Sequence, residues 1–169
     1  MERKSEQTKE LVIIRVFNAP RDIVFKMWTE AEHLAKWWGP KGFDIIVKKL
    51  ELKPGGVFHY CMAKSDMEMW GKFVYRKIVA PEKLVFITSF SDKDGNITHS
   101  PFMAHWPLEV MNTLTLMEQD GKTTVTIKGA PHNATEEEQN TFAAHTGSMQ
   151  QGFAGTFEQL DEYLAAIAL

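Results

Sequence analysis

Residues Glu32–Phe43, EHLAKWWGPKGF, set two adjacent tryptophans against a Gly-Pro step and a second glycine. Leu34, Trp37 and Trp38 recur three and four residues apart, the spacing of one helical face. Gly39-Pro40 closes that helix, because the residue before a proline is pushed out of the helical region. From Phe43 onward the hydrophobic period changes from helical to two. The stretch is therefore a boundary between a short helix and a long run of strands. Upstream, ELVIIRVFN is β-branched and reads as a strand. Asn18-Ala19-Pro20 breaks it and starts a first short helix at Asn18 or Ala19. In that helix Val24, Met27 and Trp28 share a face.

Downstream, FDIIVKKLEL, VFHYCM, MEMWGKFVYRKIV, LVFITSF, VMNTLTLME and TTVTIKG read as six strands. KPGG, APEK and QDGK are turns between them, and SDKDGN opens a longer loop. Phe58, Tyr60 and Met62 share one phase of their strand. Met67, Met69, Gly71, Phe73 and Tyr75 share another, with Gly71 marking a bend or a close approach. The loop ITHSPFMAHWPLE carries Phe102, Met103 and Trp106 and is too apolar for full exposure, so it is expected to fold down as a lid. Thr135-Glu136-Glu137-Glu138 forms a capping box. Phe142, Met149, Phe153, Leu160, Leu164 and Ile167 then fall within about 60° of one another on a helix of about nine turns. Gly147, Gly152 and Gly155 weaken this helix and predict a bend or a tightly packed spot. Short turns between strands imply antiparallel pairing. The order strand, two short helices, six strands, long helix defines an α+β domain with seven strands and one dominant helix.

The 169 residues suit a single domain with a core that needs no staple. Residues 1–9 are polar and read as a flexible tail, followed by a domain over 10–169. A net charge of −3, from 19 basic and 22 acidic residues, gives no footprint for nucleic acid. The lone Cys61 excludes an internal disulfide and fits a reducing compartment. The N-terminus lacks the apolar run of a signal peptide, and no membrane span is present, so a cytoplasmic location is expected. Nine methionines, five tryptophans and eleven phenylalanines supply adaptable apolar surface for a core or a pocket.

Three early segments carry a resemblance. They are Phe17-x-Ala19-Pro20, Val24-Phe25-x-x-Trp28-Thr29-Glu30, and Glu32-x-Leu34-x-x-Trp37-Trp38-Gly39-Pro40-x-Gly42-Phe43. Together they resemble the opening of the Hsp90-ATPase-activator-homologue branch of the START/Bet v 1-like (SRPBCC) superfamily. Pro54-Gly55-Gly56, Gly71-Lys72-Phe73, Ile78-Val79-Ala80-Pro81, Trp106-Pro107-Leu108-Glu109 and the helix through Gly152-Phe153 match later parts of the pattern. The resemblance covers about residues 10 to 168, and the Trp-Trp-Gly-Pro segment is its most specific part. Ala31 replaces a common proline and Phe153 a common tryptophan, changes that bear on pocket shape. The resemblance implies a helix-grip fold, a curved antiparallel sheet around the C-terminal helix with a cavity between. Superfamily members bind lipids, sterols, polyketides and other hydrophobic molecules, and a few are cyclases. The branch name implies a chaperone partner and a stress response. The namesake's additional N-terminal domain does not fit in this length, which weighs against that role.

The residues placed at the cavity wall are Trp37 and Phe43 near the second helix, then Phe58, Tyr60 and Met62. Met69, Phe73, Phe86 and Phe90 follow on the next strands. Trp106 in the lid, Met111, and His145, Met149 and Phe153 on the last helix complete the set. For any one of them ordinary core packing is the commoner role, since aromatics are usually buried. Adjacent helical residues point about 100° apart, so one of Trp37 and Trp38 seals the core while the other reaches the pocket. Trp37 is the expected pocket residue, because it continues the Leu34 face.

No cofactor or metal site is expected. His33, His59, His99, His105, His132 and His145 lack zinc-site spacing, and no nucleophile or phosphate motif is present. His105 and His145 are placed to meet across a cavity mouth, and His145 with Tyr60 is the one pair suited to cyclase-like acid–base work. Three functions remain: binding of a small hydrophobic ligand (lipid, sterol or polyketide-like), which is favoured; an Hsp90-type co-chaperone; and a polyketide cyclase-like enzyme. Either a monomer or a homodimer is compatible with the sequence.

Overall fold

Seven strands form one antiparallel sheet in the computed structural model, which describes residues 10–167. They are β1 (Leu11–Phe17), β2 (Asp44–Leu50), β3 (Val57–Lys64), β4 (Met67–Val79), β5 (Lys83–Ser91), β6 (Val110–Gln119) and β7 (Lys122–Pro131). The expected tail at 1–9 lies outside the described residues. The sheet order is β1-β7-β6-β5-β4-β3-β2, so the first strand pairs with the last and β1 and β2 form the two edges. Two helices, α1 (Arg21–Thr29) and α2 (Ala31–Trp37), carry the chain from one edge to the other. The β6–β7 hairpin turns at Asp120 and Gly121, both with positive φ (53° and 78°). An Asp-Gly pair suits this turn, whose twist matches that of the flanking strands. Register shifts at Val47/Lys49 and Tyr75/Lys77 add the local bend that such irregularities bring to long strands.

Helix α1 begins later than Asn18 or Ala19. Pro20 is the N-cap, and its carbonyl accepts from Ile23 and Val24, each at 3.1 Å. Ala19 lies in the bend after β1 instead, where its carbonyl accepts from Thr123 Oγ1 of β7 at 2.7 Å. The C-terminal helix is also interrupted. Its first part, α3 (Glu136–Ala144), opens with the reciprocal Thr135–Glu138 capping box. The second, α4, spans Thr146–Ala166. The break falls at His145 (φ −115°, ψ 13°) rather than at a glycine. There the backbone N–H bonds Phe142 O at 3.0 Å, while His145 Nδ1 reaches Thr141 O at 2.8 Å. The imidazole thus takes the carbonyl that the next helical N–H would have used. Gly147 and Gly152 face open space, so neither marks a tight contact.

Helix α4 lies on the sheet through Phe157, Leu160 and Leu164, which join Phe17, Leu114, Val125 and Ile127 in the core. Phe17 and Phe157 meet edge to face at 5.4 Å. Burying each large apolar side chain contributes about 1.5–3 kcal/mol.

Candidate functional site

The exit of α2 determines the site. The helix ends at Trp37, and Trp38 is already extended (φ −71°, ψ 145°). Three bonds from α4 hold this exit. Gln159 Nε2 donates to Trp37 O (3.2 Å) and Gly39 O (2.8 Å), and Thr156 Oγ1 donates to Gly39 O (3.0 Å). Gly39 has φ +95°, and a Cβ there would stand 2.6 Å from Ile45 Cδ1. This exit reverses the expected roles of the tryptophans. Trp37 is sealed in the core at 1% exposure, its indole N–H donating to Met27 O at 3.0 Å. Trp38 lines the cavity. The helical phase argument fails because Trp38 is no longer helical. The two rings, with Trp28, form a cluster with centroids 4.9–5.7 Å apart.

A cavity of about 220 Å³ lies between the sheet, the lid loop and helices α3 and α4. It exceeds the engineered cavity of about 150 Å³ that admits benzene and falls below the usual range of about 300–1,000 Å³ for drug-sized pockets. Its floor is shaped by two inward glycines. Tyr60 pairs with Gly71, and a Cβ at Gly71 would sit 2.7 Å from the Tyr60 hydroxyl. Asn112 pairs with Gly129, where a Cβ would sit 2.8 Å from Asn112 Oδ1. Each glycine lets a polar side chain on the next strand lie across it. Burial pushes the Tyr60 hydroxyl up to about 12, with the neighbouring Trp38 indole acting in the opposite direction. Tyr60 is therefore neutral at physiological pH. Asn112 Nδ2 donates to Thr88 Oγ1 (3.2 Å) and Val110 O (3.1 Å). No described lining residue carries a charge at neutral pH.

Of the residues expected at the wall, Tyr60, Met62, Phe86, Phe90, Trp106, Met149 and Phe153 line this space. The others do not. Phe58 and Phe73 are on the inward phase but sealed, at 0% and 1% exposure, under stacked neighbours. Met69 pairs with Met62 and stays outside the lining. Phe43 stands beside Lys64, whose Nζ lies 5.6 Å from its ring. Met111 is on the outward phase, because Val110, Asn112, Leu114 and Leu116 face in. His145 spends its Nδ1 on the α3 backbone. Lining residues missed in the sequence include Trp28, Trp38, Gly71, Thr88, Asn112 and Phe142. The Leu114/Leu116 phase carried the signal for Asn112, and the strand glycine carried it for Tyr60's neighbour.

The expected lid is present in part. Trp106 and Pro107 close on the cavity, with Trp106 packed on Phe142 at 5.4 Å. Phe102 remains 64% exposed.

The model for the activator of Hsp90 ATPase homolog 1-like protein family matches residues 18–165. The chain belongs to that family. Its fold is the Bet v 1-like, SRPBCC type, known for hydrophobic-ligand binding and for cyclase-like members. A Mycobacterium smegmatis protein is similar at 26% identity, covering 93% of this chain and 91% of its own, with a TM-score of 0.75. An Arthrobacter aurescens protein is also 26% identical, covering 99% and 91%, with a TM-score of 0.78. The AHSA1 protein of Silicibacter pomeroyi shares the fold at 16% identity, with coverage of 93% and 98% and a TM-score of 0.67. No curated protein matches the sequence significantly.

Within this family fold, the histidines do not assemble a catalytic pair at the cavity. His105 turns to Glu137, with Nε2 3.3 Å from the carboxylate and both side chains largely exposed. His145 has its Nδ1 on Thr141 O and lies outside the cavity lining that includes Tyr60. His33 Nδ1 meets the Tyr163 hydroxyl at 2.6 Å and ties α2 to α4. On the outer sheet face, His59 stacks on Trp70 and its Nε2 bonds Asp92 O at 3.1 Å, under the turn after β5. Among the described residues no cluster of three or more metal-ligating side chains occurs. No described helix is long and apolar enough to cross a membrane.

Proposed function

We propose that this protein binds one small hydrophobic molecule in the cavity between sheet, lid and C-terminal helices, in the cytoplasm. The supporting observation is the cavity itself, about 220 Å³ walled by Trp38, Phe86, Phe90, Trp106, Phe142 and Phe153. Walls of this kind drive binding by apolar burial, about 25 cal/mol per Å² before the costs of association. The volume favours a ligand of one or two rings over a sterol. Tyr60, the one titratable residue among the described lining residues, is held neutral, and a cyclase would need a group ready to move a proton near pH 7. The co-chaperone alternative has its support in the family description; absence of Hsp90 binding and of ATPase stimulation would remove it. Native mass spectrometry of the purified protein, alone and with added naphthalene, tests the cavity reading. The expected result is a single bound molecule, co-purified or added. A protein that carries nothing and takes up no naphthalene would overturn it.

A further inference from the structure

Both register shifts in the sheet bring a pair of cations to its outer face, the face turned away from the cavity. At the first, Val47 faces inward with Tyr60, and Lys49 stands opposite His59 on the outer face. Lys48 between them also turns outward, with Nζ 6.0 Å from the ring of the outer Trp70. At the second, Tyr75 is buried in the core and Lys77 stands opposite Val85. Arg76 alternates outward from Tyr75 and is exposed. A bulge adds one residue to one strand, so two neighbours share a face that strict alternation would have divided between both. The result is Lys48-Lys49 on β2 and Arg76-Lys77 on β4, two strands or about 10 Å apart across the sheet.

Lys72, Lys83 and Lys128 lie on the same outward phase, opposite His59, Thr115 and Thr113. Of these cations only Lys49 makes an ion pair among the described residues, with Glu51 at 3.6 Å. The outward carboxylates of the strands are Asp44 and Glu68, which share one row with Ala63 beside the β3–β4 hairpin. The chain as a whole carries −3, so this cationic face is set against an acidic remainder. Exposed apolar side chains share the phase: Ile46 next to the lysine pair, and Ile14, Val16 and Met117 at the β1 margin.

We propose that the outer face of the sheet docks on an anionic lipid bilayer. Unpaired like charges spread over β2, β4, β5 and β7 repel one another, and a facing anionic surface removes that cost. The headgroups of a bilayer move laterally to meet each cation, whereas a folded acidic partner needs carboxylates fixed at matching positions. The exposed apolar residues add burial at the headgroup level, the other contribution to peripheral binding. This docking goes beyond ligand binding and does not depend on what the cavity holds.

The test is co-sedimentation of the full chain with sucrose-loaded vesicles. Phosphatidylcholine vesicles containing about 30% phosphatidylserine should bind the protein, and phosphatidylcholine alone should not. Binding should fall about tenfold or more between about 0.1 M and about 1 M salt, as the screening length shrinks from about 10 Å to about 3 Å. Each cation near such a surface contributes about fivefold, so Lys48→Gln/Lys49→Gln and Arg76→Gln/Lys77→Gln should each weaken binding about tenfold or more. Lys26→Gln/Lys36→Gln removes the same charge from exposed positions on α1 and α2 and should change binding by no more than about twofold. Thermal melting checks the fold of each variant. If a bulge variant unfolds, Lys128→Gln, exposed in the regular pairing of β7, should still weaken binding about fivefold. No binding to the anionic vesicles would overturn the proposal, as would an equal loss in the Lys26/Lys36 variant. Binding to soluble polyglutamate with the same variant pattern, by a protein that ignores the vesicles, would also overturn it and assign the face to an acidic protein.

Discussion

Gly71→Ala tests how the sheet makes room for Tyr60. Replacing a strand glycine by alanine ordinarily stabilises, because glycine loses more backbone freedom on folding. Here the sign should reverse. The new Cβ would lie 2.7 Å from Tyr60 Oη and 2.9 Å from Cζ. Reaching an ordinary contact of 3.4 Å requires the hydroxyl to move by roughly 0.7 Å. The ring is not free to do so, because it stacks on Phe58 at 4.7 Å and meets Trp38 edge-on at 6.4 Å. Overpacking of this kind costs about 1–3 kcal/mol. At this chain length a loss of about 2 kcal/mol lowers Tm by about 4–8 °C. The assay is thermal and urea denaturation of Gly71→Ala in the natural and in the Tyr60→Phe backgrounds. Removing the hydroxyl deletes the nearest clash and leaves the ring carbon, so the cost should shrink without vanishing, a coupling between contacting sites. A Gly71→Ala protein as stable as the parent, or more so, would refute the reasoning.

Gly152→Ala should stabilise by about 0.5–1 kcal/mol, because Gly152 is exposed on α4 and its Cβ position is empty; urea midpoints read this directly. Tyr163→Phe removes the 2.6 Å bond to His33 between α2 and α4 and should cost about 1 kcal/mol in the same assay. Asp92 has its carboxyl held below the ordinary aspartate range, chiefly by the Asn96 backbone and side-chain N–H groups. A depressed native value means that its stabilising effect is complete above the ordinary value of about 3.9 and fades as pH falls through the lower one. The stability gap between the parent and Asp92→Ala should therefore be widest near pH 6 and narrow towards pH 2; a gap independent of pH would contradict this.

The strands were legible in the sequence because alternation, turns and length agreed. MEMWGKFVYRKIV coincides with β4 over Met67–Val79, and the Asp-Gly turn lies where expected. The helical stripe of Phe142, Leu160 and Leu164 was legible for the same reason, since period alone assigns a buried face. The cavity wall was only half legible. Aromatic identity marks burial, but whether a buried ring borders a void depends on the neighbours' rotamers. Phe73 and Phe86 stack at 4.5 Å, yet only Phe86 reaches the space. The wall also depends on residues with little or no apolar signal, Gly71 and Asn112. Trp38 was missed because a single residue decides whether the helix continues through it. Gly39-Pro40 places the end only to within a residue or so, and the exit is held by long-range bonds from Gln159 and Thr156, about 120 residues away.

The methionine methyls offer the most direct test of a ligand cavity. Met62 and Met149 line it, whereas Met67 and Met117 are 50% and 71% exposed on the surface. In a methyl-labelled sample titrated with naphthalene, the Met62 and Met149 resonances should shift together and saturate at one equivalent, with Met67 and Met117 unmoved. Shifts confined to the exposed methyls, or none up to the solubility limit of the probe, would contradict the account.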